Sequence, residues 1–265
     1  MTDDQRSIDI QLEVPGTPEQ VWEAIATGPG ITSWYVPHEV EPRAGGAMTA
    51  SFGPGPEMQV RGRVAAWEPP TRVVFDGGEG AAGLAFEWHV EGRDGGMSIV
   101  RLVNTGFGSG EEWDAQYDAM TEGWRAFFVN LRLHLTHFAG RQARSAMPMA
   151  MWPQASGAGW PRLAAALGVD PDAAPGERIV VSAAGAPRLA GTVTDRLSVG
   201  VAVLLEEPAP GTAMLLAEAH GPVLGVSTWC YLYGDDAARL ATEVGDRWST
   251  WLQSQAAGAE PTVEP

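Results

Sequence analysis

Few groups in this sequence combine a reactive type with a suggestive spacing. His134 and His137 stand three residues apart in a helical stretch, a spacing that can bring two imidazoles to one side and hold a metal ion. No cysteine and no later carboxylate of that stretch joins them, and the neighbouring Leu131 and Leu135 take the inward positions. The pair therefore reads as a solvated helix face, and no metal or other cofactor is expected. His38, His89 and His220 are isolated, with His89 alternating outward beside Glu87 and Glu91. Glu111, Glu112, Asp114, Asp118 and Glu122 are numerous enough for acid/base catalysis. Their place in the first turns of a helix explains most of them through capping and the helix dipole. Phosphate-cradling loops that end in lysine are excluded because the chain has no lysine, and no Gly-x-Ser-x-Gly elbow occurs. No catalytic residue is assigned.

One polar residue stands out against an apolar background. Strand parity places Met58, Val60 and Gly62, then Val73 and Phe75, on one sheet face with Leu84, Phe86, Trp88, Val90, Val100, Leu102 and Asn104. Asn104 is the only strongly polar member. A buried amide left without a partner costs about 1 to 3 kcal/mol, so Asn104 either orients a ligand or bonds a neighbouring strand or helix.

The elements that would carry these residues follow from periodicity. Ser7 to Val14 alternates as a half-buried strand, and Thr17-Pro18-Glu19-Gln20 gives an N-cap, a proline in the first turn and a capping box for a helix over about 18–26. A loop at Gly28-Pro29-Gly30 leads to strands near 39–42, 47–52, 58–67, 72–76, 84–91 and 97–105. Turn signals at Gly45-Gly46, Pro69-Pro70, Gly77-Gly78 and Asp94-Gly95-Gly96 separate them. This is an antiparallel meander. Ser109-Gly110-Glu111-Glu112 fits a second capping box. From Trp113 to Phe138 an aromatic-rich stripe including Trp124, Phe127, Phe128 and Leu131 recurs at helical spacing.

The programme then repeats in shortened form. Met147 to Trp152 stands where the first strand stood, Trp160-Pro161-Arg162-Leu163 parallels Trp22-Glu23-Ala24-Ile25, and a strand over 223–233 precedes a helix over about 236–255. The expectation is an α+β protein of two units, each a curved antiparallel sheet closed by a long C-terminal helix. Residues 1–142 form the first unit, 143–256 a reduced copy and 257–265 a disordered tail.

Bulk composition agrees with two ordinary cores in 265 residues of which 45% are apolar. A single cysteine, Cys230, forbids an internal disulfide and reads as a small buried hydrophobe. A net charge of −16 argues against nucleic acid or an anionic membrane as partner. The acidic N-terminus lacks the pattern of a secretory signal and no apolar run reaches membrane-spanning length, so a cytoplasmic location is expected.

Several strings taken in order sharpen the picture: Thr17-Pro18-Glu19-Gln20-Val21-Trp22, Trp34-Tyr35, Gly45-Gly46, Gly62-Arg63-Val64 with Trp67-Glu68-Pro69-Pro70 and Arg72-Val73-Val74-Phe75, Asn104-Thr105-Gly106-Phe107, and Gly123-Trp124. Across residues 7–139 this order resembles the helix-grip fold of the START-like or SRPBCC superfamily, and within it the activator of Hsp90 ATPase homologue-like family. Such proteins often carry histidine before the small residue-Gly-Phe step; here that position is Asn104.

The resemblance implies an apolar ligand cavity between sheet and helix. Trp34, Met58, Val60, Phe75, Phe86, Trp88, Leu102, Asn104, Trp124, Phe127, Phe128 and Leu131 are its expected lining, although the same stripe also satisfies a filled core. The expected partner is a small apolar molecule that is bound without catalysis. A polyketide cyclase or dehydratase, and a co-chaperone-type interaction module, are the alternatives.

Overall fold

The structure is a computed structural model that describes residues 6–53, 55–77, 83–108, 110–153 and 159–257. It is α+β and divides into two compact units, residues 1–142 and 143–265.

In the N-terminal unit β1 (Ile8–Pro15) leads into α1 (Pro18–Ala26) and α2 (Gly28–Thr32). Then come β2 (His38–Val40), β3 (Ala47–Ser51), β4 (Gln59–Glu68), β5 (Arg72–Asp76), β6 (Ala85–Arg93), β7 (Met97–Thr105) and α3 (Glu111–His137). The antiparallel sheet runs β1-β7-β6-β5-β4-β3-β2, so the first strand pairs with the last and the rest follow as a meander. The capping box of α1 forms as expected: Gln20 N–H donates to Thr17 Oγ1 at 3.4 Å and Thr17 N–H to Gln20 Oε1 at 2.9 Å.

Two local readings are corrected. The Gly28-Pro29-Gly30 segment is a short helix, because Thr27 caps it by accepting from Gly30 N–H at 3.1 Å. A Cβ on Gly30 would stand 1.9 Å from the Glu23 carbonyl oxygen, so only glycine lets this turn lie against α1. The N-cap of α3 is Gly110, with φ of 112° and no side-chain cap bond; Ser109 of the expected capping box lies outside the described residues. So does Gly78 of the expected Gly77-Gly78 turn.

The short helix fixes Trp34, whose Nε1–H donates to the Ala24 carbonyl at 2.8 Å while its own carbonyl accepts from Asn130 Nδ2 at 2.7 Å. Asn130 is buried, and this bond ties α3 to the segment after α2.

The C-terminal unit follows the same order. It comprises β8 (Arg144–Ala146), β9 (Met149–Pro153), α4 (Trp160–Leu167), β10 (Arg178–Val180), β11 (Ala190–Leu197), β12 (Gly200–Glu207), β13 (Gly211–His220), β14 (Val223–Leu232) and α5 (Ala237–Ala257). Its sheet runs β10-β11-β12-β13-β14-β8, with β9 also on β14. The expected opening strand is thus broken in two at Met147-Pro148, where proline has no N–H to give the ladder. First strand again pairs with last, and a short helix again precedes the meander. Side chains fill this unit's interior: Trp152, Leu163, Leu215, Leu224, Trp248 and Leu252 are each at most 1% exposed, and Trp152 Nε1–H donates to the Leu252 carbonyl at 2.8 Å. Burying each such side chain is worth roughly 1.5 to 3 kcal/mol. Cys230 belongs to this core, and burial pushes its thiol up to about 12. The expected tail begins within α5, at Ala257, and its remainder lies outside the described residues.

No helix among the described residues is long and apolar enough to cross a membrane.

Candidate functional site

Between the sheet and α3 of the N-terminal unit lies a cavity of about 470 Å³. Its floor is Phe75, Phe86 and Trp88 from β5 and β6, with Met48 and Ala50 from β3. Its roof is Gln116, Ala119, Met120, Gly123, Trp124 and Phe127, which recur at helical spacing on α3. Ile25 of α1 and the segment from Ile31 to His38 close one end. The other end is open, since Gln116, Ala119, Phe52 and Val60 there are exposed.

Helix and sheet are held apart by aromatic bulk at the closed end and by its lack at the open one. Trp88 stacks on Phe128 with centroids 5.7 Å apart and meets Trp34 and Trp124 edge-on at 5.8 and 5.7 Å. At the mouth α3 offers no ring among its described lining residues, only Gln116, Ala119, Gly123 and the flexible Met120. A Cβ on Gly123 would meet no atom of the described residues within 4 Å.

Seven of the twelve residues expected from sequence border the cavity: Trp34, Val60, Phe75, Phe86, Trp88, Trp124 and Phe127. Five do not. Met58 precedes β4 in a 3-10 turn over Pro56–Met58, outside the strand whose parity was used, and is 38% exposed. Leu102, Phe128 and Leu131 are buried behind the lining, Leu102 opposite Trp88 in the sheet and Phe128 beneath the Trp88 ring. Asn104 is fully buried and serves the sheet: its Nδ2 donates to the Ala85 carbonyl at 3.0 Å and, more weakly, to that of Thr105 at 3.4 Å. Its Oδ1 is closed off without a partner among the described residues, as is Trp124 Nε1.

Among the described residues, the polar side chains that border the cavity are Tyr35, His38 and Gln116. Tyr35 is the hub of the aromatic wall, with ring centroids 4.4 Å from Phe127, 5.1 Å from Trp124, 5.5 Å from His38, 5.7 Å from Trp34 and 6.1 Å from Phe52. Burial among these rings drives its phenol far above the ordinary value, so it stays protonated. His38 lies within hydrogen-bond distance of the Val36 carbonyl through Nδ1, at 2.8 Å. A carbonyl only accepts, which puts the proton on Nδ1 and leaves Nε2 as an acceptor. Burial lowers the imidazole to about 4, against the opposing pull of the Val36 bond, and His38 is neutral at pH 7. The reading of His38 as an isolated residue is therefore corrected. The available signal was its position three residues beyond Tyr35, at the end of the Trp34-Tyr35 string.

The paired histidines of α3 do not share a face. His134 is buried, with its imidazole lowered to about 4, while His137 is exposed. Among the described residues no three His, Cys, Asp or Glu side chains gather as a metal site. Of the acidic group, Asp114 pairs with Arg6 and Glu122 with Arg125. The outer face of the sheet carries a second, polar groove of about 450 Å³, where Arg72 pairs with Glu68 and Glu87 at 2.7 and 2.6 Å and Arg101 pairs with Asp9. His89 Nε2 lies 3.0 Å from Glu87 Oε1, in keeping with its outward parity.

Residues 15–136 match the family model described as Activator of Hsp90 ATPase homolog 1-like protein. Among solved structures, a protein from Mesorhizobium loti is 18% identical, with 50% of this chain and 98% of that one covered at a TM-score of 0.43. The Aha1 dimer from Colwellia psychrerythraea is 16% identical, with 49% and 96% covered at a TM-score of 0.42. DynU16, a protein of the dynemicin biosynthetic locus, is 18% identical, with 95% and 96% covered at a TM-score of 0.43. No curated protein matches the chain. The likeness to the Activator of Hsp90 ATPase homolog 1-like family thus runs over residues 15–136, within the N-terminal unit.

Proposed function

We propose that the N-terminal unit binds a small hydrophobic molecule between its sheet and α3, without transforming it. The observation that carries this reading is the cavity of about 470 Å³, which is walled by aromatic rings and has no Asp, Glu or Arg among the described residues of its lining. Sites for small molecules commonly measure about 300 to 1,000 Å³ and combine apolar walls with a few polar groups. An apolar cavity of about 150 Å³ accommodates one benzene, so this one has room for about three rings.

A thermal-shift screen of the full chain with fatty acids, flavonoids and polyketide-like aromatics tests the reading. A ligand at 100 times its dissociation constant adds about 2.7 kcal/mol. For a unit of 142 residues that raises the melting temperature by on the order of 10 °C. If no member of the panel moves the transition, the cavity is not a binding site for this class.

A cyclase or dehydratase is the second reading. It is favoured by Tyr35 and His38 at the cavity, because such chemistry needs a proton donor and acceptor beside the substrate. Turnover of a polyketide-like substrate by the wild type, abolished in Tyr35→Phe, would establish it in place of simple binding.

A further inference from the structure

Of the three polar side chains in the described lining, Gln116 is exposed, and Tyr35 and His38 stand together. Tyr35 and His38, 5.5 Å apart by ring centroid, both stand where the segment after α2 closes the inner end. Neither the Tyr35 hydroxyl nor His38 Nε2 has a hydrogen-bond partner among the described residues, since Tyr35 makes only ring contacts and His38 bonds Val36 through its other nitrogen. Both residues are hemmed in by protein atoms, yet neither polar atom is among those sealed from all contact. Both residues line the cavity. Water can bond both groups while the cavity stands open, so a ligand that fills the space and displaces it must supply complementary atoms or leave them unpaired at a cost.

Their chemistry specifies that atom. The Tyr35 hydroxyl is held protonated by burial and donates. Nε2 of a neutral imidazole protonated on Nδ1 accepts. A hydroxyl group satisfies both at once, because its oxygen accepts while its hydrogen donates. A carboxylate satisfies only the donor, sets its charge against the Nε2 lone pair, and finds no cation among the described residues of the lining. A bare hydrocarbon leaves both groups unpaired.

Resting on the binding function proposed above, we infer that the cavity selects uncharged aromatic molecules of about three rings carrying a hydroxyl group at their leading end. The hydroxyl is held between the Tyr35 O–H and His38 Nε2, and the rings lie against Phe86, Trp88 and Trp124. The aromatic walls supply affinity for flat molecules in general, and the polar pair supplies the choice among them.

Three probes of one skeleton separate these contributions: phenanthrene, 9-phenanthrol and phenanthrene-9-carboxylate, measured by equilibrium dialysis against the full chain. The phenol is expected to bind about tenfold more tightly than the hydrocarbon, and the carboxylate more weakly than either. A hydrogen bond has a net worth of about 0.5 to 1.5 kcal/mol, or roughly two- to tenfold in affinity. Tyr35→Phe keeps the ring, and His38→Asn keeps a donor toward Val36 while removing Nε2. Each should reduce phenol binding roughly two- to tenfold and leave phenanthrene unchanged. Equal binding of phenol and hydrocarbon by the wild type overturns the selection while leaving apolar binding intact, and it does so even if both variants misfold. Preferential binding of the carboxylate also overturns it. If none of the three probes binds, and the wider apolar panel is silent too, the binding function fails and the selection with it.

Discussion

Gly123 offers the sharpest test of whether the space under α3 exists for a ligand. It is the only glycine within the 27 residues of that helix, and it borders the cavity. A glycine inside a helix costs about 1 kcal/mol relative to alanine, because the unfolded chain has more freedom to lose. Its backbone is not left-handed, and an added Cβ meets no atom of the described residues within 4 Å, so no described neighbour requires its small size. Gly123→Ala should therefore stabilise the N-terminal unit by about 0.4 to 1 kcal/mol. For a unit of this length the melting temperature rises by about 1 to 4 °C. Gly123→Leu keeps most of the helical gain and adds a branched side chain that projects from the roof into the cavity, where it displaces ligand. Stability and binding are thus expected to move in opposite directions. Differential scanning calorimetry gives the first, and titration with a three-ring aromatic gives the second. A Gly123→Leu protein that is destabilised by more than about 1 kcal/mol would show that the site has no room to spare. One that binds the aromatic as tightly as wild type would show that the ligand lies elsewhere.

Other perturbations test the supports of the cavity. Asn130→Leu removes the buried 2.7 Å bond to the Trp34 carbonyl and should cost about 1 to 3 kcal/mol in urea denaturation, with weaker aromatic binding because Trp34 is a wall. Arg101→Gln on the outer face breaks a pair whose side chains are 46% and 47% exposed; it should change stability by less than about 1 kcal/mol and leave ligand affinity alone. His38 and His134 have folded values near 4, below the usual histidine value of 6.5. The unfolded state then binds more protons between those limits, so the stability these residues contribute is complete above about pH 6.5 and is lost as pH falls toward 4. Denaturation midpoints measured across this window should fall less steeply in His38→Asn, and an unchanged slope would refute the shift.

The order of elements along the chain, the capping box of α1 and the aromatic face of α3 were legible because each follows from a period or a cap that the chain states locally; the pairing of β1 with β7 was not. Burial by side-chain parity held through β5, β6 and β7, where the register has no break. It failed at Met58, since a 3-10 turn ends there and β4 begins one residue later. It also could not separate residues facing the cavity from those behind it. Leu102 and Trp88 are cross-strand neighbours of equal parity, both almost fully buried, yet only Trp88 reaches the empty space.

An apolar stripe reports that a face is covered and not what covers it. Whether core or cavity results depends on where the opposing side chains stop short, and that is decided by small residues rather than large ones. Gly123 and Ala119 on α3 leave room above Phe75 and Phe86 that the bulkier Trp124 and Phe127 would fill if the helix were turned slightly. The rotation of α3 is in turn set by buried contacts such as Asn130 on the Trp34 carbonyl, a bond between positions 96 residues apart. No period in the sequence encodes it. The same long-range tether holds the segment that carries Tyr35 and His38, so the polar end of the cavity became visible only once α3 and the turn after α2 were seen together.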